Sequence, residues 1–130
     1  MDAKDLMIGD WVMTEVGIMR VAQIFKNHID CNVPTGSKIW KITTIEPIPL
    51  TPEILEKNGF KRVRDKLGRV FYSIADDYFD LTIDEITDSI WCIEYDDLEA
   101  HFPTCRNLVA HVHELQHVLR LCGVEKEITI

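Results

Sequence analysis

The sequence lacks the features by which several protein classes are recognised. No apolar run approaches the roughly twenty residues that a membrane-spanning helix requires. Residues 1–5 lack the basic-then-apolar order of a secretory signal peptide. No G-x-S-x-G elbow and no glycine-rich phosphate loop occurs. These absences predict a cytoplasmic protein without a membrane partner, and they exclude the sequence signatures of α/β-hydrolases and P-loop proteins.

Positive charge is missing from one long stretch of the chain. No Lys or Arg lies between Val70 and Cys105, whereas residues 76–99 contain ten acids. Residues 70–130 carry three cations and thirteen acids, a net charge of −10, within a chain of net charge −8. Such an acidic face repels phosphates, which argues against nucleic acid as its partner. It suits a soluble surface or a basic partner protein.

A short basic stretch, residues 57–69, precedes the acidic half. Its six cations surround Val63 and Leu67, a pattern typical of the solvated side of a strand or hairpin. As a nucleic-acid patch the stretch is weak, because the acidic half works against it.

Cysteines are few and show no C-x-x-C pair. The four are Cys31, Cys92, Cys105 and Cys122. Without an export signal they are expected to be reduced thiols, and Cys92 and Cys122 lie in apolar runs typical of a core.

The first third of the chain has the pattern of short strands. Residues 10–13, 17–24, 30–33 and 39–45 are rich in β-forming residues, and turn signals separate them. Four or five short strands within about 45 residues favour an SH3-like barrel or a bent meander.

A short helix and further strands follow. Thr51 is a good N-cap with Pro52 at the first helical position, and Asn58-Gly59 ends the helix. Residues 61–64 and 69–75 predict a hairpin, and residues 79–83 and 89–95 predict two more strands. Residues 96–102 suggest a single helical turn, and residues 125–130 alternate as a closing edge strand would.

The longest helical signal lies near the end of the chain. Residues 107–123 are expected to form the main helix, although its start is also compatible with a strand. Its apolar positions recur at steps of three and four, and Gly123 follows as a C-cap; the stripe comprises Leu108, Val112, Leu115, Leu119 and Cys122.

The same helix contains a match to the H-E-x-x-H pattern of zinc hydrolases. His113 and His117 lie one turn apart and suit two zinc bonds, and Glu114 would act as general base on a zinc-bound water. The pattern nevertheless lacks a third ligand. The acids that follow His117 are Glu125 and Glu127, beyond the helix end. The pair also lies opposite the apolar stripe and is expected to face solvent.

A structural zinc site is a further alternative. His101, Cys105, His113 and His117 provide two ligand pairs at spacing four, but Pro103 interrupts any helix through the first pair.

Three stretches of the chain, in this order, resemble one protein family: DLMIGDWV at residues 5–12, IEPIPLTPEIL at residues 45–55 and VHELQH at residues 112–117. The chain is similar to small uncharacterised proteins of gut Bacteroidales, which are often found beside phage or mobile-element genes. The resemblance implies a bacterial, cytoplasmic accessory protein of prophage or mobile-element origin, and it implies no catalytic residue and no zinc.

Together these observations predict an α+β fold, mainly antiparallel β, with one short central helix and a longer C-terminal helix. The expected organisation is a single compact domain, residues 1–130, in which residues 1–50 (SH3-like) and 51–130 (α+β) form possible subdomains. The predicted function is a non-enzymatic accessory or protein-interaction role without cofactor. A zinc-dependent hydrolase using His113, His117 and Glu114 is the alternative, and a structural zinc module is the third reading.

Overall fold

The computed structural model describes residues 1–33, 36–98 and 105–130. The chain divides into two compact units. The first unit comprises Met1–Pro49 and His111–His117, and the second comprises Leu50–Ala110 and Val118–Ile130. The expectation of one compact domain stays a prediction.

The first unit contains a five-stranded antiparallel sheet with the order β4-β3-β2-β1-β5. Its strands are β1 (Trp11–Thr14), β2 (Gly17–Ile24), β3 (His28–Val33), β4 (Gly36–Lys41) and β5 (Glu46–Pro47). Alternation places Val12 and Thr14 inside and Met13 outside. Val12 packs in a core with Val21, Ile29 and Trp40, which are all buried. The strands predicted at residues 10–13, 17–24 and 30–33 are thereby confirmed. The strand predicted at residues 39–45 is wrong in its second half, because β4 ends at Lys41 and Ile42–Thr44 form a 3-10 helix.

The second unit begins with α1 (Pro52–Lys57). The Thr51 hydroxyl accepts a hydrogen bond from the Ile54 N–H at 3.3 Å, as expected of the N-cap. Gly59 follows with φ of 85°, a left-handed conformation that glycine adopts without strain. The helix predicted from Thr51 to Gly59 is therefore confirmed.

A second antiparallel sheet follows, with the order β10-β9-β8-β7-β6. Its strands are β6 (Lys61–Arg64), β7 (Val70–Ala75), β8 (Phe79–Thr87), β9 (Ile90–Asp97) and β10 (Cys105–Val109). One face is packed: Leu81, Ile83, Trp91 and Ile93 are each at most 2% exposed. Consecutive strands pair with each other, so this sheet is a simple meander.

The final helix is shorter than the sequence pattern suggested. Helix α2 spans Val112–Leu121, and the residues before it form β10. Leu108, assigned to the apolar helix stripe, lies in β10 and is 65% exposed. Val112, Leu115 and Leu119 are buried as predicted. The apolar spacing from Leu108 to Val112 crosses a strand-to-helix junction and is not one helical surface.

The last residues do not form the predicted edge strand, since no strand is assigned after Leu121. The segment is nevertheless anchored, because Ile128 is buried and the Asn58 amide pairs with the backbone of Thr129. The Asn58 carboxamide thus takes the place of a neighbouring strand for this segment.

Within these described ranges, the chain is an α+β protein dominated by antiparallel strands, as predicted. Across the same ranges, neither α1 nor α2 has the length and apolarity to cross a bilayer. The helical turn expected at residues 96–102 is wrong in its described part, because Asp96 and Asp97 belong to β9; the remainder lies mostly outside the described residues.

Candidate functional site

The residues of the H-E-x-x-H pattern lie in the half of α2 that belongs to the first unit. The expectation that this face points to solvent is wrong: His113 and Gln116 are each 6% exposed. The reason is the segment Gly9–Trp11, which packs against it. The Gln116 amide donates to the Gly9 carbonyl at 2.9 Å, and its oxygen accepts from the Trp11 N–H at 3.0 Å. Gln116 therefore binds the backbone at the start of β1 as a neighbouring strand would.

Glu114 has a local role at the start of the helix. Its Oε1 accepts a hydrogen bond from the His111 N–H at 3.1 Å and lies 2.7 Å from His111 Nδ1. A glutamate at the third helical position that binds back to the cap residue is the acidic half of a capping box. The carboxylate proposed as a general base is thus engaged in holding the first turn of α2.

His117 contacts a carboxylate from the far end of the chain. Its Nε2 lies 2.7 Å from Oδ2 of Asp10. Asp10 is fully buried, and the same oxygen accepts a hydrogen bond from the Met7 N–H at 2.7 Å. The His117 side chain is 24% exposed. The H-E-x-x-H pattern directs attention to carboxylates downstream of the helix, and no local pattern points to Asp10, which lies 107 positions before His117.

His113 lies between the other two imidazoles of the helix. Its ring centroid is 5.7 Å from that of His111, with nearly parallel planes, and 5.6 Å from that of His117. Within the described ranges no group is placed to hydrogen-bond its buried Nδ1. Burial lowers the pKa of His113, and His117 and His111 lower it further, while Asp10 and Glu114 oppose the shift. His113 is therefore a buried imidazole that favours its neutral form.

A metal ion would need three donors that converge on one point. In the described parts of the chain, no three His, Cys, Asp or Glu side chains are arranged in this way. The His117 nitrogen is directed at Asp10, and the His113 ring is stacked on His111. For the four-ligand alternative, His101 and the side chain of Cys105 lie outside what the structure describes.

The depressed pKa of His113 predicts a loss of stability in acid. The unfolded chain binds the proton near the usual pKa of about 6.5, and the folded chain binds it only at lower pH. The contribution of the neutral His113 side chain to the free energy of unfolding is therefore complete above pH 6.5. It is lost as the pH falls through the pKa of His113 in the folded chain. Urea unfolding between pH 7.5 and 5.0 measures this loss. We expect His113→Gln to flatten the profile. Equal profiles for wild type and His113→Gln would contradict the assignment.

The second unit presents an open groove of about 400 Å³ on the outer face of its sheet. Phe71, Asp84 and Cys92 lie in neighbouring strands along its floor. Arg106 and Glu94, also in its lining, pair with each other at 2.8 Å. Because these charges of opposite sign already neutralise each other, the groove does not select a ligand of one charge.

No protein-family model, no curated protein and no solved structure matches the chain.

Proposed function

We propose that the chain is a non-enzymatic accessory protein that acts through contact with another protein. The observation that carries the proposal is the use of the H-E-x-x-H residues in internal contacts. Glu114 caps α2, Gln116 binds the backbone of Gly9 and Trp11, and His117 pairs with Asp10. Groups engaged in this way hold the first half of α2 against the segment Gly9–Trp11, and Glu114 is occupied at the start of the helix.

The proposal also includes a specific fold for residues 1–50, a cellular location and an origin for the protein. The first unit has an antiparallel meander of β1 to β4, and β5 returns to pair with β1; this arrangement supports the SH3-like assignment for residues 1–50. A cytoplasmic location and a prophage or mobile-element origin complete the proposal, and they rest on the sequence alone.

A zinc-dependent hydrolase is the second candidate, because one observation favours it. The Asp10 carboxylate supplies a potential third ligand beside His117, and the buried imidazole of His113 has an unused Nδ1. A metal ion would have to displace the hydrogen bond between Asp10 and His117, and His113 would have to turn away from His111. Zinc would then polarise a bound water, and Glu114 would have to leave His111 to accept its proton.

Zinc binding distinguishes the two candidates. We expect protein purified without chelator to contain far less than one zinc per chain. We also expect that neither zinc nor EDTA changes the melting temperature of the protein. In peptidase and esterase assays, Glu114→Gln should remove no activity, because the wild type is expected to have none.

Stoichiometric zinc that is lost in His113→Ala or His117→Ala, but retained in the His28→Ala control, would contradict the non-enzymatic proposal. Zinc with activity that Glu114→Gln removes would establish the hydrolase. Zinc that stabilises the fold without activity would instead establish a structural zinc module.

A further inference from the structure

Strand β6 ends its sheet and carries an unusual concentration of positive charge. Lys61, Arg62 and Arg64 lie in the strand and Lys66 lies in the turn after it; all four side chains are exposed. We call these four residues the basic edge. Among the described residues none forms an ion pair with them, whereas the nearby Arg69 is bound by Asp65 at 2.8 Å. The basic edge therefore offers four cations that form no ion pair among the described residues, in a chain of net charge −8.

The cations are separated from the acids of the same sheet. In the paired strand β7, Lys61, Arg62 and Arg64 face Ser73, Tyr72 and Val70, which are uncharged. The acidic strands β8 and β9 lie two and three strands away, roughly 10–15 Å at the usual strand spacing. This distance is about one Debye length or more at physiological salt, so the acids screen the basic edge only weakly.

The backbone of β6 is also available on one side. The strand pairs with β7 alone, and no other backbone hydrogen bond involves residues 61–64 among the described residues. In an antiparallel edge strand of four residues, about two residues direct their N–H and C=O groups away from the sheet. These groups are positioned to pair with an added strand.

We propose that the basic edge binds a short, extended, acidic segment of a partner protein, which adds to the second sheet beside β6. The inference rests on the proposed non-enzymatic role, since it gives that role a binding surface. Backbone pairing with β6 supplies the geometry, and the four cations supply selectivity for Glu- or Asp-rich sequence.

The length of the edge favours a peptide over nucleic acid. Four residues of strand span roughly 13 Å, which matches a peptide segment of similar length. A DNA duplex is much wider than one strand, so it would extend across the sheet from β6 to the acids of β8, such as Asp80 and Asp84, and would be repelled there. Edge-strand cations also protect proteins against aggregation, and the experiment separates that role from binding.

The test is an NMR titration of the ¹⁵N-labelled full chain with blocked hexapeptides. One peptide alternates Glu and Thr, the second alternates Gln and Thr, and a 16-base-pair DNA duplex is the third probe. We expect the acidic peptide to shift the amides of residues 61–64 and to bind about tenfold more tightly than the Gln peptide. Arg62→Gln with Arg64→Gln should weaken this binding about tenfold. The charge-matched control, Lys26→Gln with Lys41→Gln in the first unit, should stay within about twofold of wild type.

The inference is overturned if the acidic and Gln peptides bind equally, if residues 61–64 do not respond, or if the duplex binds the basic edge more tightly at equal ionic strength. It is also overturned if the Arg62/Arg64 variant self-associates while its affinity for the acidic peptide is unchanged. The peptide comparison in wild type requires no variant and so remains decisive if a variant unfolds. If the peptide titration gives one of these results and the purified protein contains no zinc, the basic edge is rejected as a binding surface, but the proposed non-enzymatic role is not.

Discussion

His117→Ala is expected to lower the free energy of unfolding by about 2–3 kcal/mol. The substitution removes the contact with Oδ2 of Asp10 and leaves a fully buried carboxylate whose other interactions include the Met7 N–H. Removal of one partner of a buried polar contact is among the larger single-site losses, although the partial exposure of His117 moderates this one. Urea unfolding followed by circular dichroism at pH 7.5 measures the change.

His111→Ala is the matched control for this prediction. His111 immediately precedes α2 and also contacts a carboxylate, but its side chain is 35% exposed and that of Glu114 is 38% exposed. Solvent screens such a pair, so we expect a loss below about 1 kcal/mol. Asp10→Asn with His117→Ala completes a double-mutant cycle. A coupling energy near zero between residues 10 and 117 would show that their contact does not stabilise the fold.

Asn58→Ala is expected to destabilise the chain by about 3 kcal/mol. The buried carboxamide donates to the carbonyls of Ile54 and Thr129 at 2.8 Å and accepts from the Thr129 N–H at 2.8 Å. Alanine leaves the two backbone groups of Thr129 without these partners and frees the last residues from the end of α1. Hydrogen exchange at Thr129 and the melting temperature should both report the loss.

Two further variants sharpen the Asn58 prediction. Thr129→Val retains the backbone groups that Asn58 binds, and the Thr129 hydroxyl makes only a long contact of 3.4 Å, so we expect a change below about 0.5 kcal/mol. Asn58→Asp keeps the acceptor but directs a carboxylate at two carbonyls, and it should be at least as damaging as alanine. A stable Asn58→Asp variant would show that the C-terminal segment is held by other contacts.

Sequence signals predicted best where neighbouring residues decide the structure. Helix α1 follows from the Thr51 cap, Pro52 and Gly59, all within nine residues, and the structure contains each of these features as expected. Strand positions in both sheets were also predictable, because alternation and turn residues act over a few positions. The sequence pattern places the start of α2 too early in the chain, because the apolar spacing that begins at Leu108 continues across the junction between β10 and the helix.

The candidate site shows why local patterns were insufficient. The sequence placed His113 and His117 on one side of a helix, and the structure does the same. The sequence pattern did not predict that Gly9 and Asp10 pack against this side, because helical periodicity defines a face of the helix but not which residues cover that face.

Three features follow from the amino-acid sequence alone: the type and order of most elements, the imbalance of charge between the halves and the shared face of the two histidines. Each of these depends on residues close together in the chain. The burial of the histidine face, the contact between Asp10 and His117 and the anchoring of the chain end by Asn58 are visible only in the folded chain. Contacts over 71 to 107 residues arise from packing of separate elements, and the short-range periodicity of a single sequence does not encode them.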